Sequence, residues 1–121
     1  MTKTILIADD SESIRDVVSF TLGSAGYHIL AGVDGKDALK YLDGTDIHLV
    51  VTDYHMPHLD GIGLIKEIRS NDKYQFIPIL LLTTESQATK KEEAKAAGAT
   101  GWIVKPFAQD KLLAVVQKLI R

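Results

Sequence analysis

The chain has no cysteine, which excludes disulfides, thiolate metal sites and thiol nucleophiles while leaving the compartment open. No apolar stretch approaches the length needed to span a bilayer, and the first ten residues carry an apolar run of only four before two acids, too short for a leader. The expected location is therefore the cytoplasm. A basic stripe is missing as well: net charge is -2 with Lys and Arg scattered among Asp and Glu, so no surface could neutralise nucleic-acid phosphates. There are no repeats, low-complexity tracts or linkers. What remains is 45% hydrophobic and 25% charged, the composition of an ordinary globular protein. Its 121 residues suffice for one hydrophobic core and not for two, so residues 1–121 are expected to form a single domain with no output domain.

Short aliphatic or β-branched runs alternate with amphipathic segments, the pattern of repeated βα units around a mostly parallel sheet. The sequence predicts five strands, at Thr4 to Ala8, Tyr27 to Ala31, Leu49 to Thr52, Ile79 to Thr83 and Trp102 to Val104. The first, third and fourth are nearly continuous apolar runs, which suits central strands covered on both faces. The first helix is expected to turn Ile14, Val17, Val18, Leu22 and Ala25 inward, with Ser13 and Asp16 as a capping box and Gly26 as its stop. The second is predicted from Asp34 to about Leu42. The third, capped by Asp60, should bury Ile62, Ile65 and Ile68. From about Ser86 to Ala97 the fourth is mostly Lys, Glu and Ala, so it is expected to be the least firmly packed. The last, from Gln109 to Ile120, should pack Leu112, Leu113, Val116 and Ile120.

In an open parallel sheet, ligands gather outside the carboxyl ends of the strands. There the sequence places Asp9 and Asp10 after strand one, Asp53 after strand three, Thr83 at the end of strand four, and Lys105 with Pro106 after strand five. If strands one, three and four are neighbours, three carboxylates share one small site and each raises the pKa of the next. A cation must offset them. Ligands that are all oxygen, few of them from protein, suit Mg²⁺, or Mn²⁺, keeping several waters and one position for a phosphoryl oxygen. A phosphoryl group would then be balanced by the metal, the Lys105 ammonium and the Thr83 hydroxyl, with one aspartate in line as nucleophile. Each residue alone has an ordinary account as a turn, a cap, a strand-end hydroxyl or a solvated charge. Their shared position at the strand ends is what points to chemistry.

Four stretches, Ile7-Ala8-Asp9-Asp10-Ser11, Asp53-Tyr54-His55-Met56-Pro57-His58-Leu59-Asp60-Gly61, Leu82-Thr83-Thr84-Glu85-Ser86 and Gly98-Ala99-Thr100-Gly101-Trp102-Ile103-Val104-Lys105-Pro106-Phe107, closely resemble the response-regulator receiver family. Within it they are most similar to the CheY-like single-domain chemotaxis regulators, over essentially the whole chain. The resemblance implies a flavodoxin-like α/β fold, (βα)5, with a doubly wound five-stranded parallel sheet in the order 2-1-3-4-5. It further implies that Asp53 is the phosphoacceptor and that Asp9, Asp10, Asp53 and the backbone carbonyl of His55 hold the metal. Thr83 and Lys105 would contact the phosphoryl oxygens, and the Lys105–Pro106 peptide would be cis. Trp102 is the residue whose family counterpart swings inward behind Thr83, which makes helix four, strand five and helix five the readout face.

The family's phosphodonor is a histidine kinase, with small acyl phosphates as substitutes, and its target here would be a protein such as the flagellar motor switch. By the same likeness the chain is a monomeric signalling protein, not an enzyme beyond its own phosphorylation and dephosphorylation. Trp102 stands where motor-control members usually carry Tyr, so a hydroxyl is missing at that surface. Thr84 is bulkier than the small residue often found after the strand-four Thr, and Ala108 offers no side-chain cap to the last helix. Asp110 in the first turn of that helix offsets part of this loss.

Five other readings compete. A phosphorelay shuttle or a phosphate sink would use the same site. A metal-dependent phosphohydrolase shares the aspartyl-phosphate chemistry but turns over fast. A flavin-binding module would need a hydroxyl- and glycine-rich phosphate loop where Ala8-Asp9-Asp10-Ser11-Glu12 stands. A transition-metal site at His55 and His58 lacks the ligand spacing that zinc requires.

Overall fold

The structure is a computed structural model that describes residues 2–84 and 88–120. Among these described residues, five strands, β1 (Thr4–Ala8), β2 (His28–Gly32), β3 (Leu49–Asp53), β4 (Ile79–Thr83) and β5 (Gly101–Val104), alternate with five helices. The helices are α1 (Glu12–Ser24), α2 (Gly35–Ala38, tightening into a 3₁₀ turn over Leu39–Tyr41), α3 (Gly61–Arg69), α4 (Ala88–Ala97) and α5 (Gln109–Leu119). All strand pairs are parallel and the order is β2-β1-β3-β4-β5, as expected for a doubly wound sheet.

The alternation of the strands divides the core in two. Leu6, Val50 and Leu81 point to one face and pack with Leu64, Ile65 and Ile68 of α3. Ile5, Ile7, Leu49, Val51, Leu80 and Leu82 point to the other, against Val18 and Leu22 of α1 and Leu112 and Val116 of α5. Every residue of β3 and β4 is buried, so these runs carry no polar alternation.

Local capping departs from expectation at α1. The helix starts earlier, and Ser11, not Ser13, is its cap, with Oγ accepting from the Ile14 N–H. Val17 is 37% exposed and Ala25 forms the C-cap, so neither faces the core. Gly26 does end the segment, in the left-handed region at φ 100°. The Tyr27 N–H is taken by the Leu22 carbonyl, which moves the start of β2 one residue later than predicted, to His28. Likewise β3 runs one residue further than predicted, through Asp53, because the Tyr54 N–H continues the ladder to the Leu82 carbonyl. β5 starts one residue earlier than predicted, at Gly101, which pairs with Leu80.

Asp34 and Asp60 cap α2 and α3, accepting from the Asp37 and Gly63 N–H groups. The predicted start of α4 at Ser86 lies outside the described residues. Within them α4 fully buries Ala94. The turn that follows α4 is held by the Arg69 guanidinium, whose Nε and NH2 donate to the Gly98 carbonyl at 3.0 and 2.7 Å.

Ala108 is the N-cap of α5 and makes no side-chain bond there, while Asp110 spends an oxygen on the adjacent Lys111 N–H. Ala108→Ser should therefore stabilise the fold by about 1 kcal/mol, a typical cap contribution. Chemical denaturation would show a higher midpoint, and an unchanged midpoint would mean that the first turn is already satisfied.

Candidate functional site

Register brings the strand ends together. Ala8 pairs with Thr52 and Asp53 with Leu82, so Asp9, Asp53 and Thr83 emerge side by side where the sheet ends. Asp9 is fully buried and Asp53 is 8% exposed, whereas Asp10 is open to solvent. One carboxylate oxygen from each of Asp9, Asp10 and Asp53 lies within 4.8 Å of the others. Among the described residues this cluster contains no histidine. His58 instead takes a positive φ of 69° and places Nδ1 2.9 Å from the Asp34 carboxylate, and the exposed His55 ring meets Tyr54 edge-on at 4.6 Å.

The surroundings organise the carboxylates. The Ser11 N–H donates to Asp9 Oδ1 at 2.9 Å and the Tyr54 N–H to Asp53 Oδ1 at 2.8 Å. Arg15 reaches the Asp9 carbonyl at 2.7 Å. Lys105, only 13% exposed in its side chain, sets Nζ 3.0 Å from Asp9 Oδ2 and 3.1 Å from Asp53 Oδ1. Gly61, at the start of α3, lies so close that a Cβ there would run into the Asp53 carbonyl oxygen, so only glycine lets the helix pack on this strand end.

Three carboxylates thus face one ammonium. Burial, and next the charge of Asp9, push the Asp53 carboxyl above its ordinary range despite Lys105 and the Tyr54 N–H. Burial works to lower Lys105, but Asp9 and Asp53 together outweigh it and leave the ammonium held above its usual value. The residual negative charge and the oxygen-only donors fit a hard divalent cation that keeps waters on the exposed side of Asp10.

Thr83 is 3% exposed, and the Lys105 N–H donates to its carbonyl at 2.7 Å. Beside it is a narrow space bounded by Tyr54, Leu81, Thr83, Lys90, Lys91 and Trp102, too tight to admit a water. Trp102 pairs in register with Leu81, is partly exposed and has Lys91 Nζ 5.3 Å from its ring. The Lys105–Pro106 peptide is cis, as the resemblance implied.

Six of the residues predicted for the chemistry and its readout, Asp9, Asp10, Asp53, Thr83, Trp102 and Lys105, lie at this end of the sheet, and His55, predicted to offer its backbone carbonyl, follows Asp53 by two residues. Ser11, Arg15 and Tyr54 were not singled out from the sequence. The signal for Tyr54 was its place directly after Asp53, since a polar-tipped ring at a strand end has both a core and a surface to reach.

Residues 5–117 match the response regulator receiver domain. The chain is 37% identical over 116 residues to the chemotaxis protein CheY-3 of Vibrio cholerae, covering 95% of this chain and 89% of that one. It superposes with a TM-score of 0.94 and 42% identity on the chemotaxis response regulator CheY4 of Vibrio cholerae, over 98% and 99% of the two chains. A receiver domain of the sensor histidine kinase PA1611 from Pseudomonas aeruginosa, solved with a magnesium ion coordinated in its active-site cleft, superposes with a TM-score of 0.90 at 27% identity, over 99% and 98%.

Proposed function

The chain belongs to the response regulator receiver family, and from that premise we propose that it accepts a phosphoryl group from a histidine kinase onto Asp53. The observation that carries this reading is the cluster of Asp9, Asp10 and Asp53 with Lys105 bridging two of them. An Asp53 oxygen forms the new bond to phosphorus while the bond to the donor's nitrogen, or to the acyl oxygen of a small acyl phosphate, breaks and the leaving group keeps the electron pair. Lys105 leaves its carboxylate contacts to meet the incoming phosphoryl oxygens, and the Thr83 hydroxyl turns toward them.

Mg²⁺, or Mn²⁺, would be held by Asp9, Asp10, Asp53 and the His55 backbone carbonyl, and when bound supplies charge neutralisation of the phosphoryl oxygens. The magnesium ion in the related receiver domain supports that choice. The switch is read on α4, β5 and α5, through Thr83 and Trp102, by a protein target. Likeness to the two chemotaxis proteins supports a role in chemotaxis, with the chemotaxis kinase as donor and the flagellar motor switch as one candidate target.

Metal binding tests the site directly. Mg²⁺ titrated into the wild type should change the intrinsic fluorescence at weak, saturable affinity, and Asp10→Asn should weaken that affinity at least tenfold, about 1.4 kcal/mol. Equal binding by the variant would mean that the cation sits elsewhere.

A further inference from the structure

One side chain beside Asp53 belongs neither to the carboxylate cluster nor to the Thr83–Trp102 pair. Tyr54 is 4% exposed, and its N–H is shared between the Asp53 carboxylate at 2.8 Å and the Leu82 carbonyl at 2.9 Å. Its hydroxyl donates to Glu93 Oε1 on α4 at 3.1 Å, and Lys90 of the same helix sets Nζ 5.2 Å from its ring. The residue therefore touches the reacting carboxylate at its backbone and α4 at its tip. Among the described residues α4 otherwise packs on the core through Ala94, fully buried, and the partly buried Ala97, both small, so the Tyr54 contacts add a polar anchor to a lightly packed helix.

The same ring walls the narrow space between Thr83 and Trp102. Because that space is too tight for water, the room that Thr83 vacates does not by itself admit an indole, and Tyr54, Lys90 or Lys91 must yield as well. A phosphoryl group on Asp53 converts the carboxylate that accepts the Tyr54 N–H into an uncharged acyl linkage, a weaker acceptor, so the backbone position that anchors the ring readjusts. An aromatic ring is stiff, and a displacement of well under 1 Å at its tip takes a 3.1 Å bond beyond hydrogen-bond range.

We infer that Tyr54 is a positioning residue of the switch: its bond to Glu93 holds α4 in the arrangement that goes with an unmodified Asp53, and phosphorylation must break it. The inference rests on the phosphorylation of Asp53 proposed above. By linkage, removing the bond makes the phosphorylated arrangement easier to reach, and a phosphoryl mimic then binds more tightly.

The test is titration of Mg²⁺ with beryllofluoride into the wild type, Tyr54→Phe, Glu93→Ala and the double variant. Occupancy is counted by native mass spectrometry, and hydrogen exchange of the α4 amides is followed in the unmodified proteins. Phe keeps the buried ring, and Ala at an exposed helix position preserves the helix, so both variants should fold. Each single variant should bind the mimic about fivefold more tightly, the net worth of one ordinary hydrogen bond, and its α4 amides should exchange faster. The double variant should bind no more tightly than either single one. Wild-type affinity in both single variants, or single effects that simply add, would overturn the inference while leaving the function standing. Failure of the wild type to take up the mimic at all would overturn both.

Discussion

Incubated with acetyl phosphate and Mg²⁺, the wild-type protein is expected to gain the mass of one phosphoryl group, and Asp53→Asn none. Asp53 is the carboxylate that closes β3, with Asp9 and Asp10 within 4.8 Å and Lys105 3.1 Å away. An amide there lacks the nucleophilic oxygen, so the loss should be complete and not partial. Alkaline treatment should release the group from the wild type, as it does from any acyl phosphate. Intact-mass spectrometry reads both results, and an equal gain in the variant would move the acceptor to another residue.

The same substitution should raise the thermal stability of the metal-free protein at neutral pH. Asp53 has its carboxyl pushed upward in the fold by burial and by Asp9. A raised carboxyl contributes stability while protonated and loses that contribution as pH rises through its folded value. At neutral pH the ionised Asp53 therefore weighs against the fold, and Asn removes that burden. Calorimetry should show a higher Tm for the variant, with the difference shrinking as pH is lowered through the raised carboxyl value.

Phosphorylation or a beryllofluoride mimic is expected to change the emission or acrylamide quenching of Trp102, and Thr83→Ala should abolish that change while phosphorylation proceeds. Trp102 is the only tryptophan, so the signal has a single source. Thr83 is buried at the end of β4, on the wall of the space that Trp102 also lines. Drawn toward a phosphoryl oxygen, its hydroxyl should vacate part of that space, and the indole should give up its contact with Lys91 to enter. Alanine leaves no hydroxyl to be drawn, so the site would be occupied without a report. Identical quenching with and without mimic, at full occupancy in the wild type, would identify Trp102 as fixed packing.

Strand positions were legible because β1, β3 and β4 are nearly continuous apolar runs, and five strands separated by helical patterns admit few architectures. Asp60 could be named as a cap because its side chain needs only the N–H three residues on. Capping at α1 was misread, since Ser11 and Ser13 both offer a hydroxyl there and local spacing does not choose between them. The second helix was legible between Asp34 and Leu42, but its tightening into a 3₁₀ turn over Leu39–Tyr41 was not, since that depends on neighbours and not on composition.

By itself the sequence determined the chemistry available, namely three aspartates, a threonine and a lysine at strand ends, with no cysteine. Tertiary structure decided what those groups do to each other. Parallel register places Asp9 and Asp53 around one ammonium, and burial there raises the proton affinity of Asp53, because electrostatic energy depends on separation and solvent access, neither of which is local along the chain. The same holds for the Tyr54–Glu93 bond, which joins residues 39 positions apart: no periodicity encodes such a contact, and only the packing of α4 over the end of β3 creates it.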